Sequence, residues 1–579
     1  MAAFLLLSSP SFSCHRMSEI CMCMQSLQLQ KGIKFTCTSV CLQRQKCNVK
    51  LYAVPVRAFS CHSSSTPSAS SRADLRWGRR KHVPSTFTAP NGYQSSTGHV
   101  HYRTDENNIS ELESQLEELF NEVRMMIMSG RKNDAVELLE ANYEAVKEQM
   151  ESGANGIEQA AVLDIVALGY ITVGDLKFVA SILDILNKVV DNLKDGEPFL
   201  DSVLLHMGSM YSTLKKFEKS MSVYKRAIDI IEKKSGKDSS LLITPILGMA
   251  KVIGTIGRTS KAVQFYHRAI SILESSRGFE NEDLVIPLFN LGDLLLKEGK
   301  GKDAEACFAR IVNIYKNLYG EKDGKVGMAM YSLANAKCAR GEAEEAVILY
   351  RRALQIIKDS NYMALDDSVM EKMRIDLAEL LHVVGRGNEG RELLEECLLI
   401  NEKSKGKDDP SSVKHLVNLA SSYSRSKNYA EAERLLRMGL NIMVKAAGAD
   451  DESITVPMLH LAVTLYNLNR DEDAEQLALE ALRIREIAFG KDCLPVGEAL
   501  DCLVCIQSRV GKDEKELLNM LMRILRIQEK EFGMEGKEVI DTLKKIVFYM
   551  DKLGIKDEKF PLQKRLSMLR MKFKNQMQY

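Results

Sequence analysis

Few residues of this chain are spaced for chemistry. Cys502 and Cys505 form a CxxC, the spacing of a redox couple or of half a zinc site. They lie inside the apolar run ALDCLVCI, and no second pair stands at zinc spacing. Free cysteine in such a run packs as a small hydrophobe, and core packing is expected of both. The ten histidines lie far apart. The sequence contains no GxxxxGK[ST], no GxGxxG opening a helix after a strand, no HExxH and no GxSxG. No catalytic residue, no metal ligand and no cofactor is expected, and the expected class is not an enzyme.

Any polar side chains that act must therefore be held on a surface, and the chain is built to make one. Small residues recur at Ser220, Ala262, Ala304, Ala346, Gly390, Ala432 and Ala474, spaced by 42 residues with one step of 44. Glycines recur in the same phase at Gly236, Gly278, Gly320, Gly406, Gly448, Gly490 and Gly533. A fixed period of this length marks a solenoid of stacked units. Before each small residue, Leu416, Leu419, Ala420 and Tyr423 show the i, i+3, i+4, i+7 spacing of one helix face. After it, Ala432, Leu435, Leu436, Gly439 and Ile442 repeat the pattern. The small residue lets the two helices approach closely, and the glycine ends the second of them in a left-handed conformation. Asp238, Asp323, Asp408 and Asp450 follow the glycines and suit the start of the next helix. Pro245, Pro287 and Pro457 fall where an opening helical turn tolerates them.

Several runs carry a family signature: Asn418-Leu419-Ala420 with Tyr423, Tyr429 to Glu433, Ala481 to Ile484 with Glu486, and the closing Gly490. LYRRALQII from Leu349 and VYKRAIDII from Val223 fit as well. Together they resemble the 42-residue tetratricopeptide repeats of kinesin light chains, over about Phe199 to Gly533 and more weakly from Ile109 to Gly196. The resemblance implies an all-α, right-handed superhelical solenoid of about 11 antiparallel helix pairs, whose first helices line a concave groove. Phasing on the small-residue ladder then places His206, Asn290, Asp293, Lys297, Asn335, Asp376, Glu379, Asn418, Arg425, His460 and Asn467 on that groove face. His415 also falls on a first helix. In kinesin light chains groove asparagines bind the backbone of an extended peptide, and Asn290 and Asn418 match them in local context. An amide suits this because it both donates and accepts. The basic clamp by which some tetratricopeptide domains hold a C-terminal carboxylate is absent, since Asp376 and Glu379 stand at would-be clamp positions.

The N-terminus is a different material. Residues 1–58 hold one acidic residue, Glu19, against seven lysines and arginines, and are rich in serine and cysteine. That composition is expected of a transit peptide. The opening Met-Ala-Ala-Phe and Val56-Arg57-Ala58 resemble plastid presequences, with the mitochondrion as the other destination. Residues 59–108 read as a disordered linker with a basic cluster at Arg76 to Lys81. Degenerate helical repeats are expected over 109–196, regular repeats over 197–533, and a capping repeat over 534–579. The last helix carries Leu562, Leu566, Leu569, Phe573 and Met577 on one face amid lysines and arginines. Such a helix fits either a cap or a contact with a membrane surface.

No stretch approaches the length of apolar chain that spans a membrane. Without residues 1–58 the chain carries 72 basic against 77 acidic residues, a net charge of about −5. A solenoid that tracks nucleic-acid phosphates should be basic, so DNA is excluded and RNA disfavoured as a partner. The expected function is a non-enzymatic scaffold for protein or peptide clients in the chloroplast, stromal or peripheral to the thylakoid. It would act in assembling a plastid complex; the alternatives are a cytoskeletal cargo adaptor and a plastid RNA-binding protein.

Overall fold

The computed structural model describes residues 106–576 apart from Lys537. The proposed transit peptide, most of the linker with its basic cluster, and Met577 lie outside the described residues. Among those described, 22 α-helices and no strand occur. They divide into two compact units, residues up to Glu321 and residues from Lys322 onward.

Unit 1 holds five helix pairs: α1 Glu106–Met128 with α2 Lys132–Glu151, α3 Ile157–Val173 with α4 Leu176–Asn192, α5 Leu200–Thr213 with α6 Phe217–Ser235, α7 Ile243–Thr255 with α8 Thr259–Arg277, and α9 Val285–Lys297 with α10 Gly301–Tyr319. Unit 2 holds six: α11 Gly324–Ala339 with α12 Ala343–Asp359, α13 Ser368–Val383 with α14 Gly387–Lys405, α15 Val413–Arg425 with α16 Tyr429–Ala447, α17 Thr455–Asn467 with α18 Asp471–Phe489, α19 Leu494–Val510 with α20 Glu514–Phe532, and α21 Val539–Lys552 with α22 Lys556–Gln576. Within each unit every helix packs against its sequence neighbours. First helices also touch the first helices of adjoining pairs, as in α5 with α7 and α15 with α17 with α19. This convergence gives each unit an inner face made of first helices.

The small-residue ladder is the pair contact. Ala262, Ala304, Ala346, Ala432 and Ala474 are all 0 % exposed. At Ser220 the hydroxyl donates to the Gly208 carbonyl at 2.6 Å. A Cβ on Gly390 would lie 2.7 Å from the Ala378 carbonyl oxygen.

The closing glycines are stricter than a left-handed helix cap. Gly236, Gly278, Gly320, Gly406, Gly448, Gly490 and Gly533 have φ between 78 and 99°. Their ψ lies near 165°, as at Gly278 (168°) and Gly533 (166°). That region is open essentially to glycine alone.

The helix starts also differ from expectation. Ser239, Asn281, Asp409 and Asp451 each cap a three-residue 3₁₀ turn, accepting from the backbone N–H two residues on. The capping position is thus one residue beyond Asp238, Asp408 and Asp450, because the extra turn precedes the α-helix. Asp323 does cap its helix, accepting from the Lys325 N–H at 2.8 Å. Pro245, Pro287 and Pro457 each stand third in their helices, where no intrahelical N–H bond is lost.

Candidate interaction face

Three rows of side chains run across the inner face, twelve, fifteen and nineteen residues after each closing glycine. In unit 2 the first row is Asn418, His460 and Lys545, with the buried Cys502 at the same repeat position, and the second is Ser421, Val463, Cys505 and Phe548. The third is Arg425, Asn467, Arg509 and Lys552. In unit 1, Asn290, Asp293 and Lys297 hold the three places on α9.

The inner wall is crowded although water reaches it, the combination a concave surface produces. Glu379 is exposed, yet burial among its neighbours raises its carboxyl above the usual range, with Arg425 opposing. Asp376, half-buried, is likewise raised by burial, while a hydrogen bond from the Tyr331 hydroxyl at 2.7 Å opposes the rise. His460 is half-buried; burial first and the Arg485 charge second lower it to about 4, so the imidazole is neutral near pH 7. Arg485 is itself 3 % exposed and held by Glu498 and the Thr455 hydroxyl, both at 3.0 Å.

The expected groove residues part company here. Asn290, Asn418 and His460 make no side-chain hydrogen bond among the described residues, so their polar atoms are available to a ligand. Asn335 instead accepts from the Tyr350 hydroxyl at 2.5 Å. Asn467 donates to the Val463 carbonyl of its own helix at 2.8 Å. Lys297 pairs with Asp293 at 2.8 Å. Arg425 is exposed at the rim and acts electrostatically on Glu379 and on His382, which burial lowers to about 4.

His206 does not line an open groove. It is 3 % exposed, with Nδ1 2.5 Å from a carboxylate oxygen of Asp164. Asp164 stands 42 residues earlier on α3. That helix packs against α1, α2, α4 and α5 and is buried on nearly all sides, so the pair is enclosed with it.

Lys545 and Phe548 also lie on this face, beyond the residues expected there. Lys545 reaches Asp501 and lies 3.8 Å from the Cys505 sulfur. Phe548 is 55 % exposed in the row that contains Val463 and Cys505. Counting on from Gly533 finds both. Cys502 is 0 % exposed and burial drives its thiol far up, the behaviour of a packing residue.

The family described as tetratricopeptide repeat matches residues 283–359, 369–445 and 411–487, and a second family of the same description matches residues 201–234. Those residues match tetratricopeptide repeats. Among solved structures the chain is similar to a Podosopora anserina protein of kinesin light chain type with nearly identical TPR-like repeats. The match has 20 % identity over 35 % of this chain and 96 % of that one, with a TM-score of 0.33. It is also similar to the apo form of RapI, at 13 % identity over 69 % of this chain and 99 % of that one, TM-score 0.43. A third is the apo form of the quorum sensor NprR from B. thuringiensis, at 13 % identity over 64 % and 99 %, TM-score 0.40. No curated protein matches the chain.

His415 gives the face a pH dependence. It is 2 % exposed, neither ring nitrogen has a hydrogen-bond partner, and burial lowers it to about 4 despite Glu371 at 3.9 Å. A base lowered on folding contributes stability that is full above its free value near 6.5 and lost as pH falls through 4. Asp376 and Glu379, raised by burial, act in the opposite sense, but equally in wild type and variant. His415→Leu should therefore remove about 2 kcal/mol of the destabilisation between pH 6.5 and 5. Melting curves of both proteins across that range measure it; parallel curves would contradict it.

Proposed function

We propose that this chain is a non-enzymatic scaffold that holds an extended segment of a client protein against the first helices of its tetratricopeptide repeats. The observation that carries the reading is the inner-face pair Asn418 and His460. Both lie on contacting helices at the same place in their repeats, and neither makes a side-chain hydrogen bond among the described residues. An amide and a neutral imidazole each offer a donor and an acceptor, which is what the main chain of a bound peptide requires. A half-buried polar group left unpaired in the free protein gains most when a ligand satisfies it.

The compartment we infer is the chloroplast, and the role is assembly of a plastid complex. Residues 1–58 support this by their acid-poor, serine-rich composition. Fused to a fluorescent protein, they should be sufficient for import into plastids. A fusion that stays in the cytosol, or enters mitochondria only, would remove the plastid reading.

Proximity labelling in plant cells with the full-length protein and an Asn418→Ala/His460→Ala variant tests the groove. Clients seated there should lose at least about tenfold in labelling, the loss of one to two hydrogen bonds that leave a buried partner unpaired. Identical neighbour sets in the two proteins would sink the groove reading while leaving the compartment standing.

A further inference from the structure

Within each unit the outer side is tied at several junctions by an arginine ten residues before a closing glycine, reaching back to the pair before. In unit 1, Arg226 binds Asp195 at 3.1 Å and the Val190 and Leu193 carbonyls. Arg268 binds Glu232 at 2.6 Å and the Lys237 carbonyl at 3.1 Å. Arg310 binds Glu274 at 2.6 Å and the Phe279 carbonyl at 3.0 Å. In unit 2, Arg523 binds Glu486 at 2.7 Å and the Lys491 carbonyl at 2.5 Å. Arg565, at the same position in α22, binds Glu529 and the Met534 carbonyl.

For Arg268, Arg310, Arg523 and Arg565 the receptor is the same, a glutamate four residues before the preceding glycine and the carbonyl one residue after it, whereas Arg226 uses Asp195 and two other carbonyls. A planar fork fits such a carboxylate–carbonyl pair better than a lysine does.

Within unit 2 two junctions are tied by an arginine from another position. Arg374 reaches the Leu365 carbonyl at 3.0 Å and Glu396 at 3.5 Å, and Arg483 reaches Asp450. The junction between α14 and α16 is different. Its arginine position holds Met438, while Glu402 and Lys407 stand at the receptor positions. No cation pairs with Glu402 among the described residues. Met438 is 38 % exposed, and Leu399, one helical turn before Glu402, is 56 % exposed. Lysines 403, 405 and 407 do not spoil the receptor. Glu232 is flanked in the same way by Lys233, Lys234 and Lys237 and still holds Arg268.

We propose that this unfilled receptor, Glu402 with the Lys407 carbonyl beside the apolar side chains of Leu399 and Met438, is an outer-face docking point for an arginine of a partner protein. The occupant is argued from charge complementarity and from the four junctions, at Arg268, Arg310, Arg523 and Arg565, where the molecule seats its own arginine in the equivalent place. The surface is separate from the inner-face rows, and the inference stands whether or not a client binds there.

The probe is N-acetyl-arginine amide, titrated into the full chain and read by methyl NMR at Met438 and Leu399. Its uncharged isostere N-acetyl-citrulline amide is the control. Arginine should give saturable shifts at both methyl groups. Citrulline on the wild type, and arginine on Glu402→Gln, should bind at least about fivefold more weakly, the loss of a charge-assisted hydrogen bond. Met438→Arg should fill the receptor in cis, raising Tm by about 2–4 °C and abolishing the arginine response at Leu399. Equal shifts with citrulline, an undiminished response in Glu402→Gln, or no shift at all would overturn the assignment. So would a Tm unchanged in Met438→Arg, because the receptor geometry would then be absent. A dimer in sedimentation velocity that Met438→Arg dissolves would make the occupant a second copy and overturn the partner reading.

Discussion

Ala432→Asp should unfold the centre of unit 2. Ala432 is 0 % exposed in the core of α15, α16 and α17, among Leu416, Leu419, Leu435 and Leu436. A carboxylate introduced there meets apolar side chains and helix backbone already committed to its own hydrogen bonds. Burying an unpaired charge of this kind costs about 3–5 kcal/mol, a large share of the roughly 5–15 kcal/mol that holds an ordinary domain. In a stack of repeats each pair is held by its neighbours, so the damage should centre on α15 and α16 and fade toward the ends of the unit. Ala432→Gly is the control: it keeps the close approach and loses about 1 kcal/mol of helix propensity. Hydrogen exchange should show lost protection over residues 413–447 in the aspartate variant. Unchanged melting and exchange would mean that the small-residue ladder is not the contact between the helices.

The repeat was legible because its constraints are steric and leave little choice of residue. Seven glycines hold φ near +85° and ψ near 165°, a conformation closed to side chains, so the period appears in the sequence as glycine. The alanine ladder is imposed in the same way by the 0 % exposure of its methyl groups. Which polar side chains on the inner face are free was not legible, because helical phase gives direction and not partners. Asn335 and Asn418 both fall on first helices, in the second and first rows, but only Asn335 lies within reach of a tyrosine hydroxyl, that of Tyr350. His206 has the phase of Asn290, yet it is enclosed, because its environment depends on how α3 packs against α1. The arginines of the ties recur in the sequence at Arg226, Arg268, Arg310, Arg523 and Arg565, with Glu396, Met438 and Glu480 interrupting the series. Half of each receptor is a backbone carbonyl in the preceding repeat, which no residue type announces. The helix caps were misplaced by one residue because a 3₁₀ turn was not foreseen between the glycine and the α-helix.

Deleting residues 559–579 should have the other large effect. The stripe on α22 is spent inside unit 2: Leu566 and Leu569 are 5 % and 4 % exposed, and Leu562 and Phe573 pack against the same core with Leu521, Leu525, Leu543 and Ile546. Removing two buried leucines and two half-buried apolar side chains forfeits about 5 kcal/mol of burial, so α20 and α21 should melt first. Three of the basic residues around the stripe are engaged as well. Arg565 pairs with Glu529, Lys559 with Asp551, and Lys572 with Glu535 at 2.6 Å. The outward side of α22 mixes exposed apolar side chains, Phe560, Met568 and Met571, with polar ones. Leu521 and Leu525 of α20 are buried, whereas their counterparts 42 residues later, Gln563 and Ser567, are polar and exposed. A helix bound to a membrane surface would need its apolar stripe for the lipid, and this stripe is already covered by protein. The truncated chain should therefore show a lower melting temperature and early loss of exchange protection over residues 514–552. Its flotation with anionic vesicles should equal that of the full chain. Intact melting with lost flotation would reverse the assignment and make α22 a membrane contact.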